Sequence, residues 1–165
     1  MEVTLLSVDP GLHGLGVGLF RDRTLVWAGY LPAPKGVGRG PAAWVTIART
    51  LQILDASGFR PTEVAVEVME VYSQRWWKGD PADVLEVQGV AAAVAAQFPD
   101  AKLTGYLPKT WKGQVPQDIL ANRVLDKVKA LGWAEAIDWT DCPNARRHDV
   151  AHGIGVGLYH LHHTK

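Results

Sequence analysis

Two carboxylates stand where apolar segments of the chain stop. Asp9 follows the apolar segment 3–8 and precedes a Pro-Gly turn. Glu67 ends the alternating segment 63–66, whose valines share one face. A helical pattern lies between the two segments, so the strands that carry them are predicted to be parallel and adjacent. Parallel strands end at the same edge of a sheet, and carboxylates that open on one crevice there are suited to hold a divalent cation. An ordinary hairpin with a polar cap remains the alternative for Asp9.

A second pair of polar side chains lies near the C-terminus. Asp149 and His152 are three positions apart in the segment 146–161, which has the apolar spacing of a helix. Glycines inside a helix each cost about 1 kcal/mol relative to alanine, and this segment carries them at positions 153, 155 and 157. Close docking of the helix on the sheet explains that cost. It would also bring the pair to Asp9 and Glu67, forming an oxygen-rich site with one nitrogen that suits Mg²⁺ or Mn²⁺. Alone, the pair is more typical of a helix N-terminal charge and a surface histidine than of a metal site.

The elements that must position these residues alternate between strands and helices. Three strands joined by short turns come first and are predicted to be antiparallel. The pattern predicts an α/β fold with a five-stranded mixed sheet flanked by helices. The predicted strands are 3–9, 14–20, 24–30, 63–68 and 102–106, and the predicted helices are 44–58, 83–98, 116–131 and 146–161.

Length, composition and charge limit the classes of protein that fit. The chain has 165 residues, of which 47% are apolar and 21% charged, so we expect one folded domain spanning residues 1–165. Seventeen basic residues balance seventeen acidic ones, which argues against a protein that coats nucleic acid through bulk charge. Cys142 is the sole cysteine, so the chain has no internal disulfide or cysteine zinc cluster. Since the sequence shows no leader and no apolar run long enough to span a membrane, we expect no membrane partner and a cytoplasmic protein.

Two loops combine aromatic and basic residues in a way that suits unpaired bases and phosphates. The first loop spans 70–81, and the second spans 108–113 and also contains Trp111. The predicted DNA-binding residues are Tyr72, Arg75, Trp76, Trp77, Lys78, Lys109 and Lys112. Packing of the tryptophans against the next helix or against a second subunit is the alternative.

Two further stretches are interpreted without assigning chemistry to them. The segment Gly89–Ala96 is apolar on all sides, which is typical of a helix buried on more than one face and suggests a homodimer interface. His160, His162 and His163 are interpreted as surface residues of a frayed terminus.

Four segments, taken in order, resemble a known family. They are Asp9-Pro10-Gly11 with Gly16 and Gly18, Val64-Ala65-Val66-Glu67, Gln88-Gly89-Val90, and the run from Asp149 to Val156. Their order and spacing are similar to those of the RuvC-type Holliday junction resolvases, which have the RNase H-like fold. The resemblance covers most of the chain.

The resemblance implies a homodimeric, metal-dependent endonuclease that nicks two like strands of a branched, four-way DNA junction. Two Mg²⁺ or Mn²⁺ ions in each active site would be the cofactors. The catalytic and metal-site residues carried over by position are Asp9, Glu67, Asp149 and His152.

The chain departs from the family pattern at three places. His152 replaces the acid that is commonest there, and its imidazole would either ligate a metal or act as the base for the attacking water. Glu70 stands where the family places an aromatic wedge, so Tyr72, Trp76 or Trp77 would take that role. Lys112 matches a basic position of the family, but the next helix starts with Gln117-Asp118 instead of a further lysine.

Other functions remain open at this point. The Asp9 turn before a glycine hairpin also resembles the phosphate loop of actin and sugar-kinase proteins, although 165 residues do not supply their second domain. A catalytically inactive binding or scaffold protein of the same fold is another alternative. A third is the same chemistry on flaps, Y-branches or RNA-containing duplexes.

Overall fold

A computed structural model describes residues 3–70 and 80–164 of the chain. The strands are β1 Thr4–Pro10, β2 Gly14–Arg21, β3 Thr24–Pro32, β4 Glu63–Glu67, β5 Lys102–Tyr106 and β6 Ile137–Asp138. The helices are α1 Pro41–Ala48, α2 Ile53–Ala56, α3 Pro81–Ala96, α4 Pro108–Trp111, α5 Gln117–Ala130 and α6 Arg147–His163. Short 3₁₀ turns cover Arg49–Gln52, Ala134–Ala136 and Asn144–Arg146. Five predicted DNA-binding residues lie outside the described residues: Tyr72, Arg75, Trp76, Trp77 and Lys78.

The strands form one mixed sheet in the order β5-β4-β1-β2-β3-β6. β1 pairs antiparallel with β2, and β2 with β3, whereas β4 lies parallel to β1 and β5 parallel to β4. The predicted α/β fold and these strand directions are confirmed. The predicted number of strands was one too low, because β6 pairs with β3 over only two residues and so leaves no periodic signal.

Two helices also differ from their predicted extents. The single helix predicted over 44–58 is α1, a 3₁₀ turn and α2 in succession. The second basic-aromatic loop contains the short helix α4, which Pro108 begins. No helix in the described part of the chain has the length and apolar character needed to cross a bilayer.

Alternation along the central strands decides which side chains face α6. Leu6 and Val8 of β1 belong to the core between the sheet and helices α1 and α3. Leu5 belongs to the core on the other face, formed with α5 and α6. Since successive side chains of a strand lie on opposite faces, Asp9 shares the α6 face with Leu5. The same alternation in β4 places Glu67 on that face, because Ala65 packs there.

Helix α6 lies against the sheet at backbone contact distance. A Cβ on Gly16 of β2 would be 1.8 Å from the Asp149 carbonyl oxygen, and one on Gly153 would be 2.5 Å from the Gly16 carbonyl oxygen. The buried Ser7 hydroxyl donates to the Gly153 carbonyl oxygen at 2.7 Å. The close docking predicted from the helix glycines therefore occurs, and it fixes the start of α6 beside the end of β1.

The apolar helix α3 packs largely within the chain. A Cβ on Gly89 would be 2.3 Å from the Trp44 ring, and Val90, Ala91 and Val94 are buried. Packing against α1 thus accounts for part of the predicted burial of α3 on more than one face. Homodimerisation through Gly89–Ala96 stays a prediction.

Candidate active site

Asp9 and His152 meet where the C-terminal end of β1 faces the first turns of α6. His152 Nδ1 lies 3.5 Å from Asp9 Oδ2, and the two side chains are 4% and 12% exposed. In register, Asp9 is opposite Gly16, the residue whose missing side chain admits the α6 backbone. The glycine in β2 therefore allows the imidazole to approach the carboxylate.

The surroundings of Asp9 disfavour its charge. Burial raises the pKa of Asp9 to about 7, against the opposing influence of Lys112 and together with the repulsion from Asp149. A carboxyl group whose pKa lies this high is stabilised by a proton or by a nearby cation. A site that gathers such groups suits a divalent ion.

Glu67 is held by two donors from the segment after β5. Trp111 Nε1–H donates to Glu67 Oε2 at 2.6 Å, and Lys112 Nζ lies 3.1 Å from the same carboxylate. Burial raises the pKa of Glu67, and the Asp9 charge adds to that effect, while Lys112 and Trp111 oppose it. The buried carboxylate thus has a cation and a neutral donor as partners.

Asp149 is paired with its neighbours along the chain. His148 Nε2 lies 2.7 Å from Asp149 Oδ1, and Arg146 Nη1 lies 3.7 Å from Oδ2. Burial lowers the pKa of His148 against the opposing influence of Asp149, and His152, whose ring is 5.8 Å away, adds to the lowering. Asp149 also raises the pKa of Asp9, so its carboxylate contributes to the same electrostatic environment.

His152 carries a buried nitrogen without a partner. Within the described residues, Nε2 of His152 is buried and makes no hydrogen bond. Burial lowers the pKa of His152 and Lys112 adds to the effect, while Glu67, the nearby Gln117 backbone and Asp149 oppose it. The ring is therefore held in its neutral form, which is the form that ligates metals or accepts a proton.

The donor set fits a hard divalent cation, although two of its carboxylates, Glu67 and Asp149, face protein partners in this structure. Carboxylate oxygens with one imidazole nitrogen suit Mg²⁺ or Mn²⁺. The unpartnered Nε2 of His152 and the raised pKa of Asp9 are two observations that such an ion would account for. Among residues 3–70 and 80–164, no three acidic, histidine or cysteine side chains surround a single ion-binding point. Glu67 faces Trp111 and Lys112, and Asp149 faces His148 and Arg146, so each would release a donor on binding metal.

The two predicted DNA-binding lysines within the described residues lie differently. Lys112 is 20% exposed at its side chain and lies inside the site, beside Glu67. Lys109 is largely exposed and forms a 2.7 Å ion pair with Glu70. The other carboxylate oxygen of Glu70 is buried and has no hydrogen bond among the described residues.

Three residues at the site were not identified from the sequence. Trp111 was interpreted only as part of a stacking loop, and Arg146 and His148 received no role. His148 could have been identified from the sequence, because it directly precedes Asp149. Nothing in the local pattern connects Trp111 with Glu67, because 44 residues separate them.

Comparisons with known proteins rest on structure alone, since no protein-family model and no curated protein matches the sequence. RuvC of Thermus thermophilus in complex with a Holliday junction substrate is 19% identical, with a TM-score of 0.62. A further Thermus thermophilus RuvC structure is 18% identical, with a TM-score of 0.58. Each of these matches covers 96% of this chain and 93% of the other. This chain has the RuvC fold.

A third similar structure is that of a yeast protein. The yeast mitochondrial Holliday junction resolvase Ydc2 is 13% identical, with a TM-score of 0.55 over 95% of this chain and 79% of that one. The predicted resemblance to the RuvC-type resolvases, with an RNase H-like sheet, is confirmed at the level of the fold. The RuvC fold accounts for the convergence of the site, since it brings the ends of β1 and β4 against the start of α6.

Proposed function

We propose that this chain is a metal-dependent endonuclease that resolves branched DNA, with four-way junctions as its substrate. The observation that carries the proposal is the meeting of Asp9 and His152 at the edge of a RuvC fold. Asp149 raises the pKa of Asp9, and Asp9 raises the pKa of Glu67, so these carboxylates interact electrostatically. The compared proteins with this fold support it, because they are Holliday junction resolvases or a complex with a Holliday junction substrate.

The four side chains have distinct roles in this proposal. Asp9, Glu67 and Asp149 supply the carboxylates that hold Mg²⁺ or Mn²⁺, two ions in each site. When bound, such ions lower the pKa of water and stabilise charge on a scissile phosphate and its leaving oxygen. His152 offers the buried Nε2 lone pair, either as a further ligand or as the acceptor of the proton from the attacking water.

Lys112 acts as a counter-ion in the metal-free site and as a phosphate contact in the substrate complex. Its ammonium lies 3.1 Å from Glu67 and opposes the rise in the pKa of Asp9. If Glu67 held a divalent ion, the Lys112 ammonium would be repelled from it and would be available to a phosphate oxygen of the bound DNA. Lys109 at the neighbouring surface would contact the backbone farther from the cut.

Contacts to the DNA bases are assigned to the loop after β4. Tyr72, Trp76 and Trp77 are the proposed stacking residues, and Arg75 and Lys78 the proposed phosphate contacts, as the sequence predicts. They lie outside the described residues, so the support for them is the composition of the loop.

Paired cutting of two strands requires two sites related by symmetry, so the proposal includes a homodimer. The open face of α3 is the proposed interface within the segment Gly89–Ala96. Ala92 and Ala96 are exposed there, and Leu85, about two turns before Ala92, is 65% exposed. Small exposed side chains allow two helices to approach closely.

The test is cleavage of a synthetic four-way junction, a Y-branch and a linear duplex, each with Mg²⁺, Mn²⁺ or EDTA. The wild-type protein should nick the junction symmetrically in the presence of metal. Asp9→Asn should bind the junction in a gel-shift assay without cutting it, while Asp126→Asn on the exposed side of α5 should cut normally. Full cutting by Asp9→Asn would remove the proposal.

A junction-binding protein without nuclease activity is the second candidate. The observation that favours it is the pairing of Glu67 and Asp149 with protein donors in the described structure. Junction binding by the wild-type protein without cutting under any metal condition would support this candidate.

A further inference from the structure

Trp111 contacts three parts of the candidate site, which a role in DNA stacking alone does not explain. Its Nε1–H donates to Glu67 Oε2 at 2.6 Å. Its ring lies edge-on to that of His152, with centroids 5.7 Å apart and an interplanar angle of 80°. It also lies against Gly155 of α6, where a Cβ would be 2.6 Å from an outer ring atom. One indole thus joins a strand carboxylate to the helix imidazole.

We propose that Trp111 is a positioning residue, which holds Glu67 and His152 in the orientation that binds the divalent cation. The inference rests on the function proposed above. It assigns Trp111 to the metal site, whereas the sequence placed it in a loop that stacks on bases.

The chemistry of the two Glu67 partners separates their roles. Trp111 is a neutral group that can only donate, and a carboxylate oxygen that accepts one hydrogen bond retains a second lone pair. Glu67 Oε2 can therefore keep the indole hydrogen bond while the carboxylate ligates an ion. Lys112 carries a positive charge that a cation repels. Trp111 is thus the partner that remains, and hydrogen bonds of this kind orient ligating carboxylates.

The contact between Trp111 and α6 also explains why position 155 is a glycine. A side chain there would meet the outer ring atoms of Trp111 and also a Val124 methyl group at 3.2 Å. Gly155 accordingly leaves space for the indole between α6 and Glu67. A Cβ on Gly153 would clash with the Gly16 backbone. At Gly155, by contrast, the nearest atoms among the described residues all belong to side chains.

A second tryptophan in the chain provides a matched control. Trp44 Nε1–H donates to Glu86 Oε2 at 2.7 Å, which is the same pair of groups at nearly the same distance. Trp44 lies on α1 and packs on Gly89 of α3, which places the pair on the other face of the sheet from α6. Trp44→Phe removes an equivalent hydrogen bond from a part of the molecule that has no residue of the proposed metal site.

The experiment measures Mn²⁺ affinity of the full chain by calorimetry and by the electron paramagnetic resonance of free Mn²⁺. Trp111→Phe should weaken Mn²⁺ binding about 10- to 100-fold, as loss of the partners of metal ligands does. Trp44→Phe should change it less than about twofold, since its partner is no ligand. Thermal unfolding of each variant confirms that the protein is folded.

Gly155→Ala tests the same role while the indole is still present. It should weaken Mn²⁺ binding in the wild-type background, because the added methyl displaces the ring from Glu67. In the Trp111→Phe background it should have no further effect, since the outer indole atoms are gone. This non-additivity is the signature of residues that act through one contact.

Three results would overturn the inference. They are a Trp111→Phe affinity within twofold of wild type, an equal loss in Trp44→Phe, and a full Gly155→Ala effect in the Trp111→Phe background. Failure of the proposed function gives a different result: the wild-type protein would bind no Mn²⁺, or Asp9→Asn would bind it unchanged. Either of those would remove the positioning role as well.

Discussion

Helix α6 carries two buried histidines eight residues apart, which differ in how far their ring nitrogens are hydrogen-bonded. Both nitrogens of His160 are hydrogen-bonded, Nδ1 to the Tyr106 hydroxyl at 3.0 Å and Nε2 to Glu63 Oε2 at 2.5 Å. His152 has Asp9 at 3.5 Å on one side, and its Nε2 has no partner among the described residues. The same helix therefore ends in a satisfied polar network and begins in an unsatisfied one.

This difference separates stability from function. A buried polar network in which every group is paired makes the fold more rigid and more specific. A buried polar atom without a partner costs about 1–3 kcal/mol, so its presence calls for an explanation such as a ligand. We therefore assign His160 to the stability of the fold and His152 to the proposed chemistry.

The largest expected effect concerns Asp9 and pH. The pKa of its carboxyl group is near 3.8 when unfolded and about 7 when folded, so between these values the folded protein binds more protons. The metal-free protein should therefore lose stability as pH rises from about 4 to 7, by up to about 4 kcal/mol. Asp9→Asn should lack this loss and be the more stable protein at pH 8.

Urea unfolding in EDTA at pH 4.5 and pH 8 measures that difference. The stability gap between Asp9→Asn and wild type should be small at the lower pH and large at the higher one. Asp126→Asn, which changes an exposed carboxylate, provides the control. An equal gap at both pH values would show that Asp9 ionises normally in the folded protein.

His160→Leu tests the satisfied end of α6. The substitution leaves the Tyr106 hydroxyl and the Glu63 carboxylate without their shared partner, and it should lower the free energy of unfolding by about 3 kcal/mol. Junction cleavage well below the unfolding temperature should be preserved. A variant as stable as wild type, or one that folds normally but does not cut, would contradict the division between the two histidines.

His152→Ala tests the other end. Cleavage should fall at least about 100-fold, which corresponds to about 2.7 kcal/mol of transition-state free energy. The loss of stability should be smaller than that of His160→Leu, because Nε2 has no hydrogen bond to lose and Nδ1 has only the 3.5 Å contact with Asp9. Single-turnover cleavage and urea unfolding measure the two quantities. Cleavage at the wild-type rate would exclude His152 from the chemistry.

Tyr106→Phe is expected to have the smallest effect, and it tests how much one hydrogen bond contributes to the His160 network. It removes one hydroxyl and leaves His160 Nδ1 unpaired, with an expected cost of about 1–2 kcal/mol and no change in cleavage. Burial raises the pKa of Tyr106, as expected for a phenol held inside the fold. A thermal unfolding midpoint unchanged from wild type would indicate that the hydroxyl contributes no net stability.

The sequence predicted the parts of this arrangement that depend on local pattern. Alternation in the segment 63–67 and the position of Asp9 at a strand end predicted the shared edge, and the glycines of α6 predicted its close docking. The interpretation of His160 as a surface residue was wrong, because α6 continues to His163 and the ring is fully buried. Its partners are 54 and 97 residues away, so no local pattern connects them.

The proposed metal site is tested most directly by anomalous diffraction from crystals grown with Mn²⁺. Anomalous peaks are expected within coordination distance of Asp9 and Glu67, with His152 or Asp149 completing the ligands and Lys112 displaced from Glu67. Crystals of Asp9→Asn should lack at least one of these peaks. A wild-type structure at saturating Mn²⁺ with no peak between β1, β4 and α6, and with Lys112 still paired to Glu67, would contradict the account.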